Sequence, residues 1–370
     1  MLSCENAARP THLGCGCRPT RRGLLGAAML GGALAAWRPA QAQAPAAAPG
    51  TGQPARNLAR TNAARIDVHH HVAPPAYLAA ARASNAPRNP VGDSWTLEGS
   101  LEQMERSGIT TAVLSLTNPG LAVAGNRAED LGRACNEYVA GLVRDHPGKF
   151  GNFASLPLPD IDASLRVLAH AFDELKADGV QLFTNYDGKW LGDPYFAPLF
   201  DELNRRRAVV YTHPVSAACC VNLVPGITDS AIEWGTDTTR TIASLTFAGA
   251  ATRWPNIEFI FSHAGGTMPF LIERFDTLAA GPGMAAKLPP GGVRAALAHW
   301  NYDTAQVGNA GSLGALLRIV PPTQLLLGSD YPFRLPVDQV GNLLGVQLDP
   351  AVMRAVEMEN PRRLIPRLRA

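Results

Sequence analysis

Four short apolar runs in this chain each end on a side chain that can bind a metal. They are Ile66-Asp67-Val68-His69-His70-His71, Val209-Val210-Tyr211-Thr212-His213, Phe259-Ile260-Phe261-Ser262-His263 and Leu325-Leu326-Leu327-Gly328-Ser329-Asp330. Neutral imidazoles and a carboxylate are ordinary ligands of a divalent ion, and an ion so held is a Lewis acid. On a strand, His69 and His71 share a face while His70 points the other way, toward a helical layer. Three histidines in a row can also be an incidental tract, but their place at the end of a hydrophobic strand favours ligation. His213 precedes Pro214, which stops the strand there; alone it would read as a core histidine, and in this company it reads as a third ligand. Asp330 is either a helix N-cap or a weak metal ligand that also moves a proton. His263, in Ser262-His263-Ala264-Gly265-Gly266-Thr267, is either a helix-entry residue or a general acid/base beside the metal. The glycines after it would let the backbone approach a ligand closely. The run Gly179-Val180-Gln181-Leu182-Phe183-Thr184-Asn185 offers no lysine that could be carboxylated to bridge two ions, so a single divalent ion is expected.

For these residues to meet, the apolar runs must be neighbours. Runs of this length bounded by Gly or Pro read as buried parallel strands. Strands are expected near 65–70, 109–116, 150–156, 179–184, 208–213, 257–263, 298–303 and 324–329. Helices are expected over Leu97–Ser107, Asp130–Asp145, Ala163–Ala177, Tyr195–Arg206, Thr238–Thr252, Met268–Leu278 and Ser312–Ile319, with a terminal helix or pair over Pro350–Arg369. Eight alternating units over residues 63–370 make an α/β fold of the (β/α)8 TIM-barrel type, whose strand C-termini converge on one mouth. A doubly wound sheet would show a glycine-rich phosphate turn after the first strand, which this chain lacks. Two long connections, 73–96 and 214–236, would overhang that mouth as lids or specificity loops.

The chain has 370 residues with 46% apolar and 17% charged content, suited to a deeply buried sheet. Residues 1–42 hold Arg9, Arg18, Arg21, Arg22 and Arg38 against Glu5 alone; the remainder has 28 basic and 30 acidic residues, with no basic stripe for nucleic acid. The same 42 residues read as a cleavable export signal: a basic stretch ending in Arg21-Arg22, an apolar run to Ala36, then Ala40-Gln41-Ala42. The run is too short for a stable membrane anchor. The Arg pair resembles a twin-arginine signal, with an ordinary secretory signal as the alternative, and points to a periplasmic protein. Residues 43–62, rich in Ala, Pro, Gly and Gln, read as a flexible leader. Cys135, Cys219 and Cys220 remain after the signal and make no disulfide framework.

At these residues the sequence resembles the amidohydrolase superfamily, and within it the "amidohydrolase 2" branch of 2-amino-3-carboxymuconate-6-semialdehyde, γ-resorcylate and 6-methylsalicylate decarboxylases. The resemblance runs from about Arg65 to the C-terminus and includes Leu191-Gly192-Asp193-Pro194, Asp237-Thr238-Thr239-Arg240 and Gly328-Ser329-Asp330-Tyr331-Pro332-Phe333. It implies Zn²⁺ or Mn²⁺ held by His69, His71, His213 and Asp330, with His263 catalytic. It further implies a homodimer in which an arginine eleven residues beyond the catalytic histidine, here Arg274, reaches the neighbour's substrate carboxylate; a surface arginine on an amphipathic helix is the alternative. Arg240, Asp303 and Trp95 fall in family-like segments and become candidate substrate contacts, with Arg88 the nearest match to a second family arginine. The activity implied is decarboxylation of a small aromatic or enol-like carboxylic acid such as an ortho-hydroxybenzoate. The same ligands would also serve hydrolysis of a lactone, ester or amide. An exported binding protein that merely keeps the barrel would be expected to have lost part of the constellation.

Overall fold

The computed structural model describes residues 64–85 and 89–369. The proposed signal (1–42), the leader (43–62) and Arg88 lie outside the described residues. Eight parallel strands form one sheet in chain order: β1 (Arg65–Val72), β2 (Ile109–Leu116), β3 (Phe150–Ser155), β4 (Gly179–Phe183), β5 (Val209–His213), β6 (Glu258–Phe261), β7 (Asn301–Asp303) and β8 (Leu325–Leu326). The sheet closes because the chain beyond β8 runs along β1: Val68 N donates to Leu327 O at 2.9 Å, Asp330 N to His69 O at 2.8 Å and His71 N to Tyr331 O at 2.8 Å. All eight strand positions expected from the apolar runs are occupied.

Among the described residues, ten α-helices of eight or more residues stand outside or over the strands: α1 (Pro75–Ala83), α2 (Leu97–Ser107), α3 (Ala128–Asp145), α4 (Ile161–Asp173), α5 (Ala197–Arg206), α6 (Asp229–Ala248), α7 (Ile272–Ala279), α8 (Gly292–His299), α9 (Ala310–Leu317) and α10 (Pro336–Gly345). Local chemistry sets their ends. Thr96 accepts from Gly99 N at 3.0 Å to cap α2, and Asp160 accepts from Ala163 N at 2.9 Å to cap α4. The two long connections are more ordered than expected. Pro74-Pro75 looked like a breaker, but Pro75 starts α1 at a position where its missing N–H costs nothing, and the alanine-rich stretch behind it propagates the turn. The second connection ends at Thr228 rather than Thr236, so α6 begins at Asp229, nine residues before the expected Thr238.

Alternate strand residues fill the barrel. Ile66, Val68, Val113, Phe153, Val209, Tyr211, Ile260 and Leu326 form one buried cluster, joined by Leu364, Ile365 and Leu368 from the C-terminal segment. That segment, read from sequence as a terminal helix pair, is the barrel's floor. It is anchored by a buried ion pair, Arg65 Nε to Glu357 Oε1 at 2.6 Å. Among the described residues no helix is long and apolar enough to cross a membrane. Cys135, Cys219 and Cys220 are all free thiols.

Candidate metal centre

β1 delivers three histidines, and the pleat sorts them. His70 turns outward, where its Nδ1 meets Asp67 Oδ2 at 3.0 Å and its Nε2 meets Ser100 Oγ on α2 at 2.8 Å. Asp67 also accepts from the backbone N–H groups of His69 (3.1 Å) and Ser329 (2.9 Å), so one buried carboxylate ties β1 to the strand that closes the barrel. His69 and His71 turn inward. From the far end of the chain Asp330 arrives with its backbone in the left-handed region, φ +68. His213 ends β5, and its Nδ1 donates to Pro214 O at 2.9 Å.

The structure brings His69, His71, His213 and Asp330 together, with one donor atom from each lying within 4.8 Å of the others. All four are essentially buried. His69 Nε2 is 3.3 Å from His71 Nε2, and Asp330 Oδ1 lies 3.2 and 3.1 Å from these two nitrogens. Two nitrogens each about 2.1 Å from an ion stand roughly 3.0–3.4 Å apart at octahedral to tetrahedral angles, so the spacing fits a shared cation. His213 Nε2 is buried without a hydrogen-bond partner among the described residues, as a nitrogen reserved for a metal would be. A second grouping, His69 with His263 and Asp303, also lies within that distance. There, however, Asp303 is already engaged in orienting its neighbours.

Asp303 Oδ2 accepts from His69 Nδ1 at 2.9 Å, while its Oδ1 accepts from the backbone N–H of His263 (3.0 Å) and of Ala305 (2.9 Å). A carboxylate behind a histidine fixes the ring and leaves the other nitrogen for the ion. The expected substrate contact Asp303 is therefore placed instead as the support of His69, fully buried. The electrostatics suit a cation-binding cluster. Burial lowers His71 and takes His213 well below the ordinary imidazole range. Burial opposes charge on His69 too, but Asp303 and Asp330 outweigh it and raise its pKa to about 10. Asp330 is pushed up by burial, yet His69 and His71 hold it well below the usual carboxylate range. Without metal, a proton on His69 balances the two acids.

His263 is half-buried beside this cluster, its ring centroid 5.0 Å from that of His69 and 6.0 Å from that of His213. Its Nδ1 donates to Ala305 O at 2.9 Å, so in the neutral ring Nε2 carries the lone pair. The glycines behind it serve packing, not a ligand: a Cβ on Gly266 would fall 1.9 Å from the carbonyl oxygen of Gly235 on α6. Trp95 is buried, with its Nε1 unpartnered among the described residues. Arg240, on α6, sits 3.4 Å from Asp237 Oδ1 and 3.7 Å from Glu233 Oε2, partners on its own helix. Arg274 is exposed on α7.

The sequence reading missed three groups. Gln306 Nε2 donates to Asp330 Oδ2, which leaves Oδ1 facing the histidines. Ser115 Oγ stands 3.5 Å from His71 Nδ1. Tyr211, fully buried with an unpartnered hydroxyl, lies edge-on to His69 at 5.3 Å between centroids. Only the inward register of Tyr211, two residues before His213, was available as a signal.

A closed parallel barrel with His-x-His on β1, a third histidine at the end of β5, a half-buried histidine after β6 and an aspartate after β8 defines a class of metal-dependent barrel enzymes. The amidohydrolase family profile matches residues 66–367, and this chain belongs to that family. It is 37% identical over 300 residues to the decarboxylase macB of Penicillium terrestre, covering 76% of this chain and 88% of the relative. It is 35% identical over 324 residues to the 6-methylsalicylic acid decarboxylase acuB of Aspergillus aculeatus, covering 82% and 97%. A crystal structure of a dihydroxybenzoic acid decarboxylase from Polaromonas sp. JS666, with bound manganese and the inhibitor 2-nitroresorcinol, superposes with a TM-score of 0.70 at 18% identity, over 83% of this chain and 98% of that one.

The protonation pattern makes metal uptake pH-dependent. With His71 and His213 already neutral and Asp330 ionised, binding displaces essentially the His69 proton. Because His69 releases that proton only near pH 10, Mn²⁺ or Zn²⁺ affinity should rise about tenfold per pH unit between about pH 6 and 9. Competition with a fluorescent chelator measures this; an affinity flat across that range would contradict the arrangement.

Proposed function

We propose that this protein is a metal-dependent, non-oxidative decarboxylase of a hydroxybenzoate-type acid. The observation that carries the reading is the buried His69–His71–His213–Asp330 cradle with His263 beside it, in a chain whose relatives are aromatic-acid decarboxylases. His69, His71, His213 and Asp330 would hold one divalent ion, Zn²⁺ or Mn²⁺. Bound there, it would supply Lewis acidity to the carboxylate and adjacent hydroxyl of the substrate. The chain's own residues do the rest. Asp303 and Gln306 fix His69 and Asp330, so the charges are in place before the bond breaks. His263, its Nδ1–H donated to Ala305 O, would take up a proton at Nε2 and deliver it to the ring carbon that bears the carboxylate. The C–C bond then breaks, its electron pair stays with the ring, and CO₂ departs as aromaticity returns; the net change is one proton gained and one CO₂ lost.

His263→Asn should lower kcat by about 10²- to 10⁴-fold while metal content, read by atomic emission, stays at the wild-type level. Unchanged turnover would remove His263 from the chemistry. A panel of hydroxybenzoates and lactones, followed by CO₂ release and product mass, tests the reaction itself: lactone turnover without CO₂ from any acid would make the protein a hydrolase.

A homodimer in which Arg274 meets the partner's substrate carboxylate belongs to the same proposal. Its support is that Arg274 is exposed on a segment that also exposes Phe270 (73%) and Leu278 (50%), apolar surface suited to a second copy of the chain. Mixing inactive Arg274→Ala with inactive His263→Asn should restore activity in mixed dimers; no recovery in verified heterodimers would place Arg274 outside the site. Export through the twin-arginine-type signal is likewise proposed from Arg21-Arg22 and Ala40-Gln41-Ala42. Mature protein recovered from the periplasm should begin at Gln43, and an unprocessed N-terminus would refute it.

A further inference from the structure

Beside the metal cradle, across one aromatic ring, lies a second space. A cavity of about 780 Å³ opens among the segments that follow β2, β3, β4 and β5, and none of the metal-binding side chains lines it. That volume is in the range of pockets that enclose a drug-sized ligand, far beyond what a bare hydroxybenzoate ring needs. Phe183 forms the partition. Its backbone is paired with His213 across β4 and β5, its ring centroid is 6.2 Å from the His213 ring, and it lines the cavity on its other side. The ring rests on Gly120, which has φ +66 and where a Cβ would fall 2.3 Å from the Phe183 Cε2 atom; the absent side chain is what lets the partition lie there.

The lining specifies the guest. Leucines 116, 121, 156 and 158 and a run of prolines make it largely apolar. No lysine or arginine lines it, whereas Glu129, Asp160, Asp187 and Asp229 do. Three of these carboxylates are committed: Glu129 pairs with Arg166, Asp160 caps α4, and Asp229 accepts from Ser216 Oγ and Asn222 N, both at 2.8 Å. The cavity therefore repels an anion without calling for a cation. One buried polar side-chain atom of the lining is free among the described residues: Gln181, 3% exposed, donates through Nε2 to Leu116 O at 2.8 Å and leaves Oε1 unpartnered.

We propose that this cavity is the specificity subsite of the enzyme and takes a neutral, predominantly alkyl arm on the aromatic acid, with Phe183 as the wall the arm passes and Gln181 Oε1 as an acceptor for a hydroxyl or N–H on it. The substrate is then an alkylated hydroxybenzoate with a chain longer than methyl. The acidic lining sets its direction, because the carboxylate can go only to the metal side. This inference rests on the decarboxylase reading for the identity of the ring, but not for the existence of the subsite.

The test separates the two. 2-Nitrophenols bearing methyl, propyl or pentyl chains at each ring position place a nitro group where the carboxylate would be and cannot lose CO₂. Titrated calorimetrically into Mn²⁺-loaded protein, the series with the chain at the correct position should tighten by about three- to fourfold per added methylene. Ala122→Trp, an exposed alanine on the cavity lining, should cut that gain to less than twofold overall. A Kd that is flat or weakens with chain length at every position overturns the subsite, and so does an unaltered gain in the tryptophan variant. In parallel, CO₂ release is followed from the matching alkyl hydroxybenzoates. Release with a flat Kd keeps the decarboxylase and removes the subsite. A chain-dependent Kd with no CO₂ from any acid keeps the subsite and removes the decarboxylase.

Discussion

The meeting of β1 with the chain beyond β8 is the constraint on which everything else depends. Backbone bonds from Val68, His71 and Asp330 join the first strand to the last, and Asp67 adds a side-chain clasp on the backbone N–H of Ser329. Residues about 260 positions apart are thereby held in one register. Closing a loop that long has an entropic cost that grows only slowly with length, so distance along the chain is no obstacle once the six intervening strands are paired. A slip of one residue at this seam would turn His69 and His71 outward and put His70 in their place. The hydrogen bonds of His70 to Asp67 and Ser100 hold the register against that, which gives a purpose to the one histidine of the three that touches no metal position.

Polar burial at the centre is tolerable because it is shared. Asp303 alone orders His69, the backbone of His263 and the turn to Ala305, so the support of His69 and of His263 is one group. Gln306 does the same for Asp330. Arrangements of this kind leave each catalytic atom one free direction and little freedom to reorganise, which is the condition for stabilising charge as it develops.

Most of this centre was legible in the amino-acid sequence because each ligand sits at the end of an apolar run and His69 and His71 share a face. That Ile66 and Val68 also pack inside follows from a register irregularity between Asp67 and His70, which alternation does not show. His69, His71 and His213 could be placed without any contact information. What was not legible depends on juxtaposition. Asp303 looks like a substrate contact in a linear reading and becomes a support only when β7 is set beside β1 and β6. Gln306, one polar residue in a loop, carries no periodic signal. Pro74-Pro75 reads as loop until Pro75 is seen as the first residue of a helix. The cavity beyond Phe183 is assembled from four separate segments, none of which announces it.

The floor of the barrel has a consequence for how the protein is made. Leu364, Ile365 and Leu368 seal the end opposite the mouth, and Glu357 neutralises Arg65 at the start of β1. The start of β1 is thus matched in charge only by a residue 292 positions further along. Early strands can pair before that segment arrives, but the floor under them is complete only once it has packed.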